Sequence, residues 1–171
     1  ILICPSDKAD AKMRMFNLDG SEGKMCGNGI RCIAKYLYDN KMVKNREIRI
    51  DTLSGIKTCV VSTKQGEVHR VRVDMGPAML APDEVPVLLE GESVVNHPIK
   101  VGSQTYHMTC VSMGNPHAVV FVNSVDKLNL EGIGKQFENH ALFPERVNAE
   151  FVEFIDSHTL KMRVWERGSG E

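Results

Sequence analysis

A single cysteine stands directly before a glycine-rich corner in Met25-Cys26-Gly27-Asn28-Gly29, and that order suggests chemistry before it suggests a fold. Glycines at 27 and 29 let the backbone turn sharply and aim unpaired N–H groups at the space beside the sulfur. Such a corner can hold an anion next to a thiolate. An ordinary cysteine with a pKa of about 8.5 is only about 3% thiolate at neutral pH, and a downward shift of about one unit raises this to about a quarter. The start of a helix favours that shift. The plainer alternative is a small buried cysteine, as most free cysteines are. The neighbours of Cys26 argue against it.

The elements that must position this sulfur lie on either side. Stepping 100° per residue from Ile30 leaves Arg31, Lys35 and Asp39 on a narrow polar stripe, while Ile30, Cys32, Ile33, Ala34, Tyr36, Leu37 and Tyr38 cover the rest. The spacing predicts a helix that ends near Asn40, is apolar over about two thirds of its circumference and is sheathed by a sheet. Cys26 would sit at the mouth of that sheath.

The totals exclude several classes. The 171 residues suffice for one medium domain or two small ones, and a net charge of −1 with scattered Lys and Arg gives no footprint for nucleic acid. No apolar run reaches the roughly 20 residues of a membrane span, and no secretory leader is recognisable. Cys4, Cys26, Cys32, Cys59 and Cys110 are odd in number and lack paired spacing, so neither a disulfide framework nor a zinc site is indicated. A reducing cytoplasm fits best. The chain opens at Ile1 inside what reads as a strand and closes at Glu171 after Glu-Arg-Gly-Ser-Gly, so both ends read as cut.

Strands are expected over 1–4 and 12–16, then 47–53 and 56–62 about the Ser54-Gly55 turn, followed by an alternating stretch after Gln65-Gly66. A domain boundary at 70/71 gives domains of 1–70 and 71–171. The proline-bearing stretch 76–98 reads as an extended surface connection. Beyond it the pattern gives a hairpin of 99–101 with 106–112, an interruption at Gly114-Asn115-Pro116-His117, a strand over 118–122 and a helix over 125–139 that Gly132 and Gly134 weaken. A last hairpin pairs 150–155 with 160–165. Mostly antiparallel strands with isolated helices make the class α+β. Each half leads to a glycine-containing exit, Met-Cys-Gly-Asn-Gly in the first and Glu-Arg-Gly-Ser-Gly in the second.

Four islands of polar residues at strand ends or corners stand out: FNLDGSEGKMCGNGIRC, GNPH, VNAEF and WERGSGE. In this order they resemble the diaminopimelate epimerase family over essentially the whole chain, and FNxDGSE followed by CGNGxRC is the most specific part. The resemblance implies two similar domains, each a curved, mostly antiparallel sheet wrapped around a central helix, with the second domain stopping before its helix and an apolar groove left in its place. It implies an isomerase that interconverts LL- and meso-diaminopimelate with no cofactor, neither pyridoxal phosphate nor metal. One thiolate removes the α-proton and a thiol on the opposite face returns one. Family members are commonly homodimers.

Carried over by position, Cys26 matches the first catalytic cysteine, and the second is expected beyond Glu171. None of Cys4, Cys32, Cys59 and Cys110 lies at a matching position. Gly27 and Asn28 match the binding point of the substrate α-carboxylate, in agreement with a helix start that attracts anions. Asn17, Asn115, Asn148 and Arg167 match positions that recognise the substrate, in particular its distal amino-acid end. His117 and Glu166 match positions that tune the thiols, and Glu166 also borders the substrate. Simpler roles exist for each: turn caps for the asparagines, a surface ion pair for Arg167, a structural ring for His117. Asp19, Ser21 and Glu22 read as scaffolding of the corner. The alternatives are a proline or hydroxyproline racemase of the same superfamily, in which a His typically stands where Asn28 does, and a catalytically inert fragment or binding domain.

Overall fold

The computed structural model describes residues 1–18 and 20–171; Asp19, expected among the scaffolding, lies outside the described residues. The chain divides into two compact units, Ile1–Gly76 and Pro77–Glu171.

The first unit contains β1 (Leu2–Cys4), β2 (Ala11–Phe16), β3 (Glu22–Gly23), α1 (Gly27–Asp39), β4 (Glu47–Thr52), β5 (Gly55–Lys64) and β6 (Glu67–Val73). Its strands lie in the order β1-β2-β4-β5-β6, with β3 paired to β2. Neighbours are antiparallel except β2 and β4, which run parallel. A parallel pair needs a crossover, and α1 supplies it. Alternation in β4 turns Ile48, Ile50 and Thr52 inward, and the two isoleucines share a core with Ile30, Ile33, Ala34 and Leu37 of the helix. Burying each large aliphatic side chain here is worth about 1.5–3 kcal/mol. The helix end is tied to β6: Asp39 Oδ1 accepts the Val68 N–H at 2.9 Å and Lys35 Nζ donates to the Val68 carbonyl at 2.7 Å. β6 pairs with β5 through Val73, so the first sheet runs past the expected boundary at 70/71.

The helix is less enclosed than its sequence suggests. Cys32 and Tyr36 are exposed beside Arg31 and Lys35, because the unit buries only the face that meets the sheet.

The second unit contains β7 (His97–Val101), β8 (Gln104–Ser112), β9 (Pro116–Phe121), α2 (Leu130–Glu138), β10 (Asn148–Asp156) and β11 (Thr159–Trp165). The sheet order is β11-β10-β9-β8-β7, and β9 and β10 are the parallel pair, with α2 in the crossover. Each unit thus has one helical crossover between parallel strands amid antiparallel neighbours. One face of the second sheet packs Met108, Ala118, Val120 and Phe151 against Leu130 and Phe137. Phe137 meets the rings of Tyr106 and Phe151 edge-on, each at 5.3 Å between centroids. On the other face Phe121, Phe154, Leu160 and Met162 are all exposed.

Three expectations need correction. The 76–98 stretch is no surface connection: Val85, Val87 and Val94 are buried in the core of the second unit, held by turns such as Val85 N–H to the Ala81 carbonyl at 3.1 Å. The second helix begins at Leu130 rather than 125, because Asn129 caps it with its side chain on the Gly132 N–H at 3.1 Å. Pro116 and His117 do not interrupt the strand but begin it.

Candidate functional site

Cys26 is the N-cap of α1. Its backbone is extended, with φ −139° and ψ 111°, its carbonyl accepts the Ile30 N–H at 2.9 Å, and its Sγ accepts the Gly29 N–H at 3.2 Å. This position ordinarily goes to Ser, Thr, Asp or Asn, whose oxygen does the same work. A sulfur there receives an N–H bond and lies at the positive end of the helix. Gly29 permits the approach: a Cβ there would lie 3.4 Å from Sγ and 2.6 Å from Cδ1 of Ile1. Gly27 and Asn28 occupy the first two helical positions, whose N–H groups have no partner within a helix. Met25 is buried and anchors the corner, while Cys26 is half-buried and Asn28 exposed. The Asn28 side chain is engaged by the Arg31 guanidinium.

Asn17 lies just after β2, where its Nδ2 donates to Ser21 Oγ at 3.0 Å and its backbone N–H to the Ser21 carbonyl at 2.8 Å. Glu22 forms a two-pronged pair with Arg14 at 2.8 and 3.0 Å. Ser21 and Glu22 therefore brace the strand and turn that lead to Cys26.

The second unit gathers its own set. Parallel pairing places Asn148 beside His117, and Asn148 is buried with both ends of its amide in use. Its Nδ2 donates to the Pro116 carbonyl at 3.0 Å, and its Oδ1 accepts the Arg167 backbone N–H at 2.9 Å. Asn148 thereby joins the Asn-Pro-His strand start to the Glu-Arg-Gly-Ser-Gly turn. His117 stands between two oxygens, Glu150 Oε1 at 2.5 Å from Nδ1 and Asn115 Oδ1 at 3.0 Å from Nε2. The turn itself is closed by the Glu166 N–H on the Gly170 carbonyl at 2.8 Å, and the Arg167 guanidinium donates to the Glu145 carbonyl at 2.8 Å. Glu166 is exposed.

Two carboxylates escaped the sequence reading. Glu150 follows Asn148 by two residues on β10, so strand alternation puts both on one face. Glu138, buried near the end of α2, collects the Trp165 indole N–H at 2.8 Å, the Gly168 N–H at 2.9 Å and the Arg146 guanidinium at 3.1 Å. It fixes the turn that carries Glu166 and Arg167. Nothing in its local sequence marks it. Among the described residues no group of His, Cys, Asp and Glu is arranged to hold a metal ion.

A family model described as diaminopimelate epimerase matches residues 1–81 and 109–171, which include every residue of both clusters. The chain belongs to the diaminopimelate epimerase family. It is 53% identical to the diaminopimelate epimerase of Acetivibrio thermocellus over the whole of this chain and 61% of that protein. The diaminopimelate epimerases of Agathobacter rectalis and Methanococcus maripaludis are 52% and 53% identical, again over the whole chain and 62% of their own length. The chain thus spans about three fifths of the diaminopimelate epimerases it matches. Among solved structures, a probable proline racemase from Agrobacterium radiobacter superposes with a TM-score of 0.70 at 17% identity, covering 95% of this chain and 51% of that one. A hydroxyproline epimerase from Agrobacterium vitis gives 0.68 at 16% identity, covering 95% and 52%. At such identities these two show a shared fold only.

Proposed function

We propose that these 171 residues are part of a diaminopimelate epimerase that interconverts the LL and meso forms of its substrate in lysine and peptidoglycan precursor synthesis. The observation that carries this reading is the N–H bond from Gly29 to the sulfur of Cys26 at the start of α1. As thiolate, Cys26 takes the α-proton; the electron pair left on carbon spreads into the α-carboxylate, and a thiol on the opposite face returns a proton. The N–H groups of Gly27 and Asn28 hold that carboxylate where its charge grows. Thiols suffice for this transfer, so the reading needs no pyridoxal phosphate and no metal.

Asn17, Asn115, Asn148 and Arg167 bind the substrate in this reading, with Arg167 presenting its guanidinium to the distal carboxylate. The Asn148 amide keeps one N–H and one lone pair beyond the contacts described above. His117 and Glu166 set the charge around the thiols. The second thiol is assigned to the portion of the relatives' length that this chain does not span. Asn28, where proline racemases typically have His, favours diaminopimelate over a cyclic imino acid. A homodimer in a reducing cytoplasm follows from the family resemblance and from five unpaired cysteines; no helix among the described residues is long and apolar enough to cross a membrane.

The test is α-proton exchange in deuterium oxide by the full-length protein with LL-diaminopimelate. Cys26→Ala is expected to abolish both deuteration and inversion with an unchanged far-UV circular dichroism spectrum. Inversion that persists without the sulfur would overturn the reading, as would exchange of proline in preference to diaminopimelate.

A further inference from the structure

Glu150 is more than nine-tenths buried, yet only one of its carboxylate oxygens is engaged by a side chain. Oε1 meets His117 Nδ1 at 2.5 Å, and Oε2 is buried with no hydrogen-bond partner among the described residues. A carboxylate left half-satisfied inside a fold lowers stability, so its presence calls for a reason. The reason lies in the ring it touches. Asn115 stands at Nε2, so both nitrogens of His117 are occupied and the imidazole plane is set from both edges.

We propose that Glu150 is the positioning residue of His117, its Oε1 accepting the Nδ1 N–H while the Nε2 N–H donates to Asn115 Oδ1. A carboxylate behind one ring nitrogen fixes tautomer and orientation together. The register makes the contact possible: His117 lies opposite Asn148 on β10 and Val111 on β8, both uncharged, while Glu150 sits two residues along β10 on the same face. The ionised groups that act on Glu150 are His117 and Glu166. Burial pushes the Glu150 carboxyl up, the hydrogen bond and charge of His117 pull it down, and Glu166 adds to the rise. The placement holds whatever the reaction; its catalytic consequence rests on the reading of His117 as a group that tunes a thiol.

The experiment uses the 171-residue chain, ¹⁵N-labelled, with the two ring nitrogens of His117 read by long-range ¹H–¹⁵N correlation across a pH series. In the unaltered chain both ring nitrogens are expected to carry a proton, each facing an accepting oxygen. Glu150→Gln, which keeps an oxygen acceptor but no charge, retains the Nδ1 proton in part; Glu150→Ala releases it and leaves the proton on Nε2 alone. Identical nitrogen shifts in all three chains would overturn the proposal. Should Glu150→Ala fail to fold, the pair of unaltered chain and Glu150→Gln decides it, since a ring indifferent to loss of the charge is not positioned by it. In the full-length protein Glu150→Gln is expected to lower kcat about tenfold with KM nearly unchanged. Absence of epimerase activity would remove the Proposed function and leave the ring assignment standing.

Discussion

The side-chain oxygen of Asn148 accepts the backbone N–H of Arg167 at 2.9 Å, so a residue at the start of one strand fixes the turn that leaves the next. Two of the four motifs are therefore one structural object. Asn148→Ala deletes an acceptor and a donor in a buried place and leaves the Pro116 carbonyl and the Arg167 amide without them. We expect a loss of about 2–4 kcal/mol in urea unfolding of the second unit, with faster hydrogen exchange at the Arg167 amide. Unchanged exchange at Arg167 would show that the turn holds itself.

Four of the five cysteines should divide sharply toward a thiol reagent. Burial pushes the Cys59 thiol up to about 11 and the Cys110 thiol up to about 12, and neither side chain reaches solvent. Cys32 is exposed and Cys26 half-buried. Iodoacetamide at pH 7.5 is expected to label Cys26 and Cys32 within minutes while Cys59 and Cys110 stay unmodified until denaturant is added. Peptide mass mapping reads the order, and early labelling of Cys110 would contradict the packing of β8.

Gly134 lies under the indole of Trp165, and a Cβ there would fall 2.5 Å from its Cγ and Cδ2. Alanine in a helix interior gains about 1 kcal/mol over glycine, but the rigid indole must move by more than a van der Waals overlap allows. Gly134→Ala is thus expected to destabilise the second unit by about 1–3 kcal/mol, accompanied by a shift in Trp165 fluorescence. A more stable variant would show that the indole yields.

Glu150 gives the stability of the second unit a pH dependence of unusual sign. Its carboxyl lies above the ordinary carboxylate value in the fold, first because burial disfavours its charge. The folded state therefore holds this proton more tightly than the unfolded one. The contribution is fully present below the ordinary value of 4.5 and is lost as pH rises through the raised folded value. The half-buried Asp39 and the exposed Asp126, lowered by their lysine partners, act in the opposite direction. Subtracting the pH–stability curve of Glu150→Gln from that of the unaltered chain should leave a component that falls as pH rises above 4.5, and a rising component would contradict the burial of this group.

Much of this was legible in the residues. The Cys-Gly-Asn-Gly corner announced a helix start because glycine and a small polar-atom side chain suit an N-cap, and alternation marked β6 after the Gln65-Gly66 turn. What escaped depended on partners far away in sequence. Prolines at 77, 82 and 86 made the 76–98 stretch look like surface, although Val85, Val87 and Val94 face inward once the turns between them close. Gly134 read as a weakness in a helix and is in fact the space an indole needs. Glu150 and Glu138 could not be paired with His117 and Trp165 until parallel register and helix docking were known. The first helix looked enclosed because Cys32 and Tyr36 are apolar in type, whereas their place on the helix turns them to solvent.

The sulfur of Cys26 has two occupations, since the atom open to reagents is also the peg that holds the first turn of α1. Whatever alters that atom, a proton, an alkyl group or an oxygen, must also loosen or tighten the amide of Gly29. The opening turn of this helix is consequently a built-in gauge of the thiol's chemical state, readable at a backbone proton that takes no part in the reaction.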